Sequence, residues 1–209
     1  MISAILALEL STPTGRLAVL REGDILHGSA FTSDRSHNSK LYAPLAEALE
    51  AATDELDLIV VGTGPGSYTG VRIAIAAAHG VALSRGVPVI GLPSLATVSE
   101  EAEYFVIGDA RRGLFYTAHV SNGRLEGALE LHEAAALEAW NERHAAMPRF
   151  TMDATVPLGL AGVLLAAPQP VLLARQAARL SQEEIHSLAS QELEPLYITE
   201  AFITTAKKK

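Results

Sequence analysis

The chain has 209 residues, 49% of them hydrophobic and 19% charged, and 16 Lys and Arg stand against 24 Asp and Glu for a net charge of −8. That balance belongs to a folded globular protein rather than a disordered chain or a fibre, and its sign disfavours unaided binding of a polyphosphate. Cysteine is absent, which removes disulfide scaffolds, thiolate metal sites and cysteine nucleophiles together and suits a reducing compartment. Met1 to Leu10 lacks a basic leader and carries Glu9, so the opening reads as mature protein.

Three short runs, Ala4 to Glu9, Arg16 to Leu20 and Ile25 to Ala30, predict a meander of strands, with Gly15 and the Glu22-Gly23-Asp24 turn between them. A helix follows over Ser39 to Ala52, with Leu41, Leu45, Leu49 and Ala52 on one face and Pro44 either in its first turn or kinking it. Leu58 to Val61 is a continuous apolar run of strand length. A glycine loop comes next, then a small-residue helix from Thr69 to Ser84 closed by Gly86, then a strand from Val87 to Ile90 and a short helix capped by Ser94.

From Tyr104 the order begins again. Strands are predicted at Phe105 to Asp109, Leu114 to Val120 and Arg124 to Leu131, with the hairpin dipeptide Asn122-Gly123 between the last two, and a helix over Glu133 to His144. In both halves the first strand ends on an acid, Glu9 and Asp109, and a glycine, Gly15 or Gly113, precedes the second. The chain therefore reads as a duplication, with a first lobe over residues 1–102 and a smaller, less regular lobe over 103–209. After Pro148 the boundaries are soft. Ala154 to Ala174 is uncharged, but Pro157, Pro168 and Pro170 cut it and leave Leu158 to Ala167 uninterrupted, short of the ~20 residues of a membrane-spanning helix. It reads as a buried segment of a soluble core.

The glycine loop, Gly62 to Arg72, lies between a buried strand and a helix, where backbone N–H groups and a helix N-terminus gather anions. No Lys follows the glycines, so it is no Walker loop; the spacing Gly64, Gly66, Gly70 is not a dinucleotide fingerprint, and no Asp or Glu occurs between Asp57 and Glu100 to bind a ribose. Two readings stay open: a phosphate cradle, or a tight turn that needs glycine for positive φ and close helix packing. Ser67 lacks the Gly-x-Ser-x-Gly elbow. The histidines, His27, His37, His79, His119, His132, His144 and His186, include no pair four apart, so no helix carries a two-histidine metal clamp and they read as surface or capping residues. Glu9 and Asp109 could meet across the lobes as a carboxylate pair or stand in solvent. Lys207 to Lys209 reads as a solvated terminus.

Gly64 to Ile73 (GPGSYTGVRI) resembles the signature of the TsaB (YeaZ) family of tRNA threonylcarbamoyladenosine (t6A) biosynthesis proteins. Ile5 to Thr12 (ILALELST), Asp109 to Gly113 (DARRG) followed by Tyr116, and Pro195 to Tyr197 (PLY) agree with it. The resemblance spans the chain and implies an α/β, two-lobed actin-like ATPase (ASKHA, RNase H-like) fold. It implies a noncatalytic, cytoplasmic subunit that partners a TsaD-type transferase together with a TsaE-type ATPase, meets tRNA only through that complex, and forms a homodimer when alone. No catalytic residue, metal or cofactor of its own is expected; ATP or ADP at the complex interface would meet Gly64, Gly66, Ser67, Tyr68, Thr69 and Gly70. Where the family has Asp-Thr-Ser this chain has Glu9, Leu10 and Ser11, and the resemblance places Leu10 where a hydroxyl would face phosphate. The alternatives are a nucleotide-hydrolysing or phosphotransfer enzyme of the same fold and, behind it, a glycoprotease.

The resemblance also puts the partner contact on the first-lobe helices. At 100° per residue Arg72, Ala76, His79 and Leu83 share a narrow sector of the glycine-loop helix, while its small and apolar residues spread over an arc too wide for one contact. Part of that arc should pack on the lobe's own sheet and part against another helix, the neighbour being Ser39 to Ala52. The expected interface comprises Leu41, Leu45, Arg72, Ile75, Ala76, His79 and Leu83.

Overall fold

Strand β1 (Ala4–Glu9) is buried along its whole length, as expected of a strand in the middle of a sheet covered on both faces. A computed structural model describes residues 3–32, 37–53 and 56–198; Lys207 to Lys209 and the side chain of His37 lie outside the described residues. On one side β1 pairs antiparallel with β2 (Thr14–Arg21), and β2 with β3 (Asp24–Thr32), which is the expected meander. On the other side β1 pairs parallel with β4 (Leu58–Gly62), and β4 with β5 (Val89–Leu92), so the sheet order is β3-β2-β1-β4-β5. Parallel neighbours need crossovers. Helix α1 (His37–Ala52) supplies the first and α2 (Tyr68–Arg85) the second. Pro44 lies inside α1 rather than in its first turn. Helix α2 stops at Gly86, whose left-handed φ of 68° lets its N–H reach Ala82 O at 2.8 Å.

The second sheet retraces this path. Strands β6 (Glu103–Arg111), β7 (Leu114–Ser121) and β8 (Arg124–Glu133) form an antiparallel meander, and β6 pairs parallel with β9 (Arg149–Thr151), which pairs parallel with β10 (Val163–Leu165). Its order, β8-β7-β6-β9-β10, repeats that of the first sheet. Helix α3 (Ala134–Arg143) is the first crossover, but a single 3-10 turn, Pro157–Gly159, stands where the first lobe has α2. The doubled topology is the RNase H-like, actin-like plan.

Alternation along β1 decides what each face buries. Leu6 and Leu8, continued by Leu10, pack under α1 and α2 with Leu41, Leu45, Ala74 and Ala78. Ile5 and Ala7 turn the other way and meet Leu173, Ala174 and Ala177 of α4 (Pro170–Ala178) and Ile185 of α5 (Gln182–Ala189). These two helices follow the second sheet in sequence yet cover the back of the first. The reading of Ala154 to Ala174 as a wholly buried segment is corrected accordingly: Leu164 and Leu165 on the edge strand are 61% and 59% exposed, and the fully buried leucine is Leu173, after Pro170 has opened α4. Among the described residues no helix is long and apolar enough to cross a membrane.

Candidate functional site

The glycine loop is filled by the chain itself. A Cβ at Gly66 would collide with Ser11 O, one at Gly70 with Leu10 O, and one at Gly62 with Glu9 Oε2. Three glycines thus make room for the end of β1, while Gly64 takes a left-handed φ of 93° that favours glycine. Several of the loop's N–H groups are engaged as well. Gly64 N–H donates to Ser94 Oγ at 2.9 Å, Ser67 N–H to Ser11 O at 2.6 Å, and Gly70 N–H to the capping Ser67 Oγ at 3.2 Å. Close packing of the turn, one of the two readings, is what Gly62, Gly66 and Gly70 serve here.

Glu9 neither faces solvent nor reaches Asp109. It is fully buried, its Oε1 accepts from Ser11 N–H at 2.8 Å, and its Oε2 faces Gly62 without a hydrogen-bond donor among the described residues. Burial raises its pKa, opposed by hydrogen bonding from Ser11. Leu10 is corrected too: its side chain is buried in the core under α1 and α2, and Ser11 and Thr12 are the residues that face the cleft between the lobes.

That cleft has a volume of about 890 Å³. Its first-lobe wall holds Ser11, Thr12, Ser67 and Tyr68, and among the described residues no first-lobe carboxylate lines it. The acids come from the second lobe. Asp109 N–H donates to Asp153 Oδ2 at 2.8 Å, and Arg111 N–H donates to Asp109 Oδ1 at 2.7 Å. Burial and then the charge of Asp109 raise the Asp153 pKa, while burial and Asp153 raise that of Tyr116. The carboxylate pair is therefore Asp109 with Asp153, not Asp109 with Glu9. Asp153 was missed because it follows a three-residue strand in the stretch where the sequence pattern fades.

His79 and His186 are exposed, and His144 caps α3, its Nδ1 2.8 Å from Trp140 O. His119 and His132 depart from the surface reading: they sit partly buried in an aromatic cluster with Phe105 and Trp140. Among the described residues no group of three or more metal-ligating side chains forms.

Helix α2 buries Gly70, Val71, Ala74, Ala78 and Val81. Arg72, Ala76, His79 and Leu83 lie on the outer side, Leu83 with 88% of its surface exposed, and Ile75 is half-buried at the margin. Leu41 and Leu45 do not join that outer face; they are core residues flooring a groove between α1 and α2, with Tyr42, Ala76 and Gly80 around it. Tyr42 is the exposed residue that the apolar periodicity of α1 passed over. At the first turn of α2, Arg72 Nη1 donates to the Tyr68 hydroxyl at 3.0 Å, and the Tyr68 and Tyr197 rings lie 5.9 Å apart.

A family model described as TsaD: tRNA N6-adenosine threonylcarbamoyltransferase matches residues 31–149, more than half of the chain. The tRNA threonylcarbamoyladenosine biosynthesis protein TsaB of Bacillus subtilis is 35% identical over 132 residues, 58% of this chain and 58% of the relative. The chain belongs to the TsaB (YeaZ) family. An uncharacterised protein of Mycobacterium tuberculosis is 39% identical over 58% of this chain and 61% of its own length, so the matched stretch spans about three-fifths of these relatives. YeaZ from Pseudomonas aeruginosa superposes with a TM-score of 0.64 at 26% identity, over 84% of this chain and 91% of that one. A second P. aeruginosa structure, of an uncharacterised protein with similarity to peptidase YEAZ, gives 0.71 at 24% identity over 94% of this chain and 100% of that one. Both share the two-lobed TsaB fold described above.

Proposed function

We propose that this chain is a noncatalytic subunit of the complex that forms t6A in tRNA, scaffolding and activating a TsaD-type transferase with a TsaE-type ATPase. The observation that carries the noncatalytic reading is the glycine loop, where Ser11 and Leu10 fill the space beside Gly66 and Gly70 and where Gly64 and Ser67 N–H are taken by Ser94 and Ser11. With that loop closed the chain has no nucleotide cofactor of its own, and ATP or ADP belongs at the complex interface. The outer face of α2 is the partner surface, because Leu83 stands almost fully exposed on the same side as Arg72 and Ala76. The same face serves a homodimer when the partner is absent. Contact with tRNA runs through the complex, since a net charge of −8 disfavours unaided nucleic-acid binding. A cytoplasmic setting goes with that role.

The alternative, a phosphotransfer enzyme of the same fold, draws on Asp109 and Asp153 in the cleft. Reconstitution decides between them: purified TsaD-type and TsaE-type proteins, threonylcarbamoyl-AMP and tRNA, with and without this chain. The expected result is modification only with the chain present, and no magnesium-dependent ATP hydrolysis by the chain alone. Modification at full rate without it, or turnover by the isolated chain, sinks the proposal.

A further inference from the structure

Residues 58–99 contain no Asp or Glu, although the chain has 24, and their basic side chains are Arg72, His79 and Arg85. Helix α2 therefore presents a surface opposite in sign to the molecule as a whole. At its first turn, side chains from two distant parts of the chain meet. The Tyr68 and Tyr197 rings are 5.9 Å apart at 35°, and the Arg72 guanidinium carbon lies 5.3 Å from the centre of the Tyr68 ring. Arg72 has no carboxylate partner among the described residues. The two tyrosines are 55% and 42% exposed, so packing within the monomer accounts for only part of each ring.

The backbone under the cluster is held by contacts within the chain. Tyr68 opens a helix capped by Ser67, and Tyr197 is held by its neighbours: Leu196 N–H donates to Thr63 O at 2.8 Å, Leu193 packs in the first-lobe core and Ile198 in the second. Side chains fixed in advance lose little freedom on binding, and Tyr and Arg on a rigid patch are the residue types that dominate interface energies. Ala76, one turn beyond Arg72, continues the patch along α2.

We propose that Tyr68, Arg72 and Tyr197 anchor a partner protein segment in which an acidic side chain is flanked by apolar ones. The carboxylate takes the remaining N–H groups of Arg72, and its apolar neighbours cover the open ring faces. This rests on the reading of the chain as a partner-binding subunit and adds the strap from Leu193 to Ile198 to a contact otherwise assigned to helices. A nucleic acid is the weaker occupant, because the cluster offers one cation where a phosphate footprint needs several.

The probe is the TsaD-type subunit of the same organism, titrated calorimetrically against the full chain and its variants. Arg72→Glu and Tyr197→Ala are expected to weaken binding by about 30-fold or more, with Arg72→Lys in between because it keeps the charge and loses the planar fork. Arg72 is fully exposed, so its variants keep the wild-type melting temperature even where Tyr197→Ala loosens the strap. Reversal of one exposed acid on the partner should restore binding to Arg72→Glu. If Ala76→Arg abolishes binding while Arg72→Glu and Tyr197→Ala bind like wild type, the anchor is refuted and the partner-subunit reading survives. If the wild-type chain does not bind, both fall. If Arg72→Glu instead impairs capture of labelled tRNA and leaves protein binding intact, the cluster is an RNA contact and the proposal is wrong.

Discussion

Glu9 ends a strand whose every residue is buried, and it carries a carboxyl group into that setting with one oxygen lacking a donor. Burial is the largest influence on it and raises its pKa above the ordinary 4.5. The unfolded chain gives up this proton near its ordinary pKa while the folded chain holds it to higher pH, so the folded state binds more protons between the two values. Stability is then complete below the unfolded pKa and falls as pH rises through the folded one. Glu9→Gln removes that titration without removing the acceptor for Ser11 N–H. Denaturant melts should show the variant gaining on wild type as pH rises from 4 to 8, and parallel pH profiles would refute the account. Gly66→Ala should cost about 1–3 kcal/mol by overpacking against Ser11 O, measured in the same melts. Neither effect was legible in sequence. Alternation assigns a strand residue to a face but cannot say that both faces of this sheet are covered, and glycine composition cannot say that Leu10 and Ser11, remote in the chain, fill the space.

The strands and helices up to His144 follow the sequence pattern closely because each is bounded by a strong local signal: Glu22-Gly23, the glycine loop, Gly86 and Asn122-Gly123. Past Pro148 the elements are too short for periodicity to register. Strands β9 and β10 have three residues each, and α4 and α5 have nine and eight. Yet α5 opens with a capping box, Ser181 with Glu184, a signature that sequence does carry. Helix α2 shows how far periodicity goes. It grouped Arg72, Ala76, His79 and Leu83 on one side, as observed, but Leu41 and Leu45 turned out to be core because an apolar face marks burial before it marks a partner. The two sides of α2 give a paired prediction. Ala78→Arg forces a cation into a fully buried site and should destabilise the fold on the order of 4 kcal/mol or more. Ala76→Arg, on the exposed side, should melt like wild type, and circular dichroism separates the two outcomes.

At the scale of the molecule, the duplication legible in the sequence order concerns the two sheets and not the helices that cover them. The first sheet has apolar side chains on both faces, and α1 and α2 protect only one. The other face, with Ile5, Ala7, Leu20, Leu58, Val60 and Ile90, is covered by Leu173, Ala174 and Ala177 of α4 and by Ile185 of α5. Those helices are separated from the first lobe by the entire second sheet, so the first lobe cannot complete its core from a consecutive stretch of sequence. Further links tie the same helices to the junction: Gln176 Nε2 donates to Ala96 O at 2.6 Å, Arg175 pairs with Glu100 at 3.0 Å and Arg124 with Glu184 at 3.1 Å. The two ion pairs are exposed and contribute little; the covered apolar face dominates. A fragment of residues 1–102 should therefore lack a cooperative melt and bind a hydrophobic dye, although it holds all five strands of its sheet. Adding a peptide of residues 168–198 should restore a cooperative transition, and the full chain should unfold in one step by both circular dichroism and Trp140 fluorescence. A fragment that melts cooperatively by itself, or a full chain whose two probes report separate transitions, would show that the back face of the first sheet does not need α4 and α5.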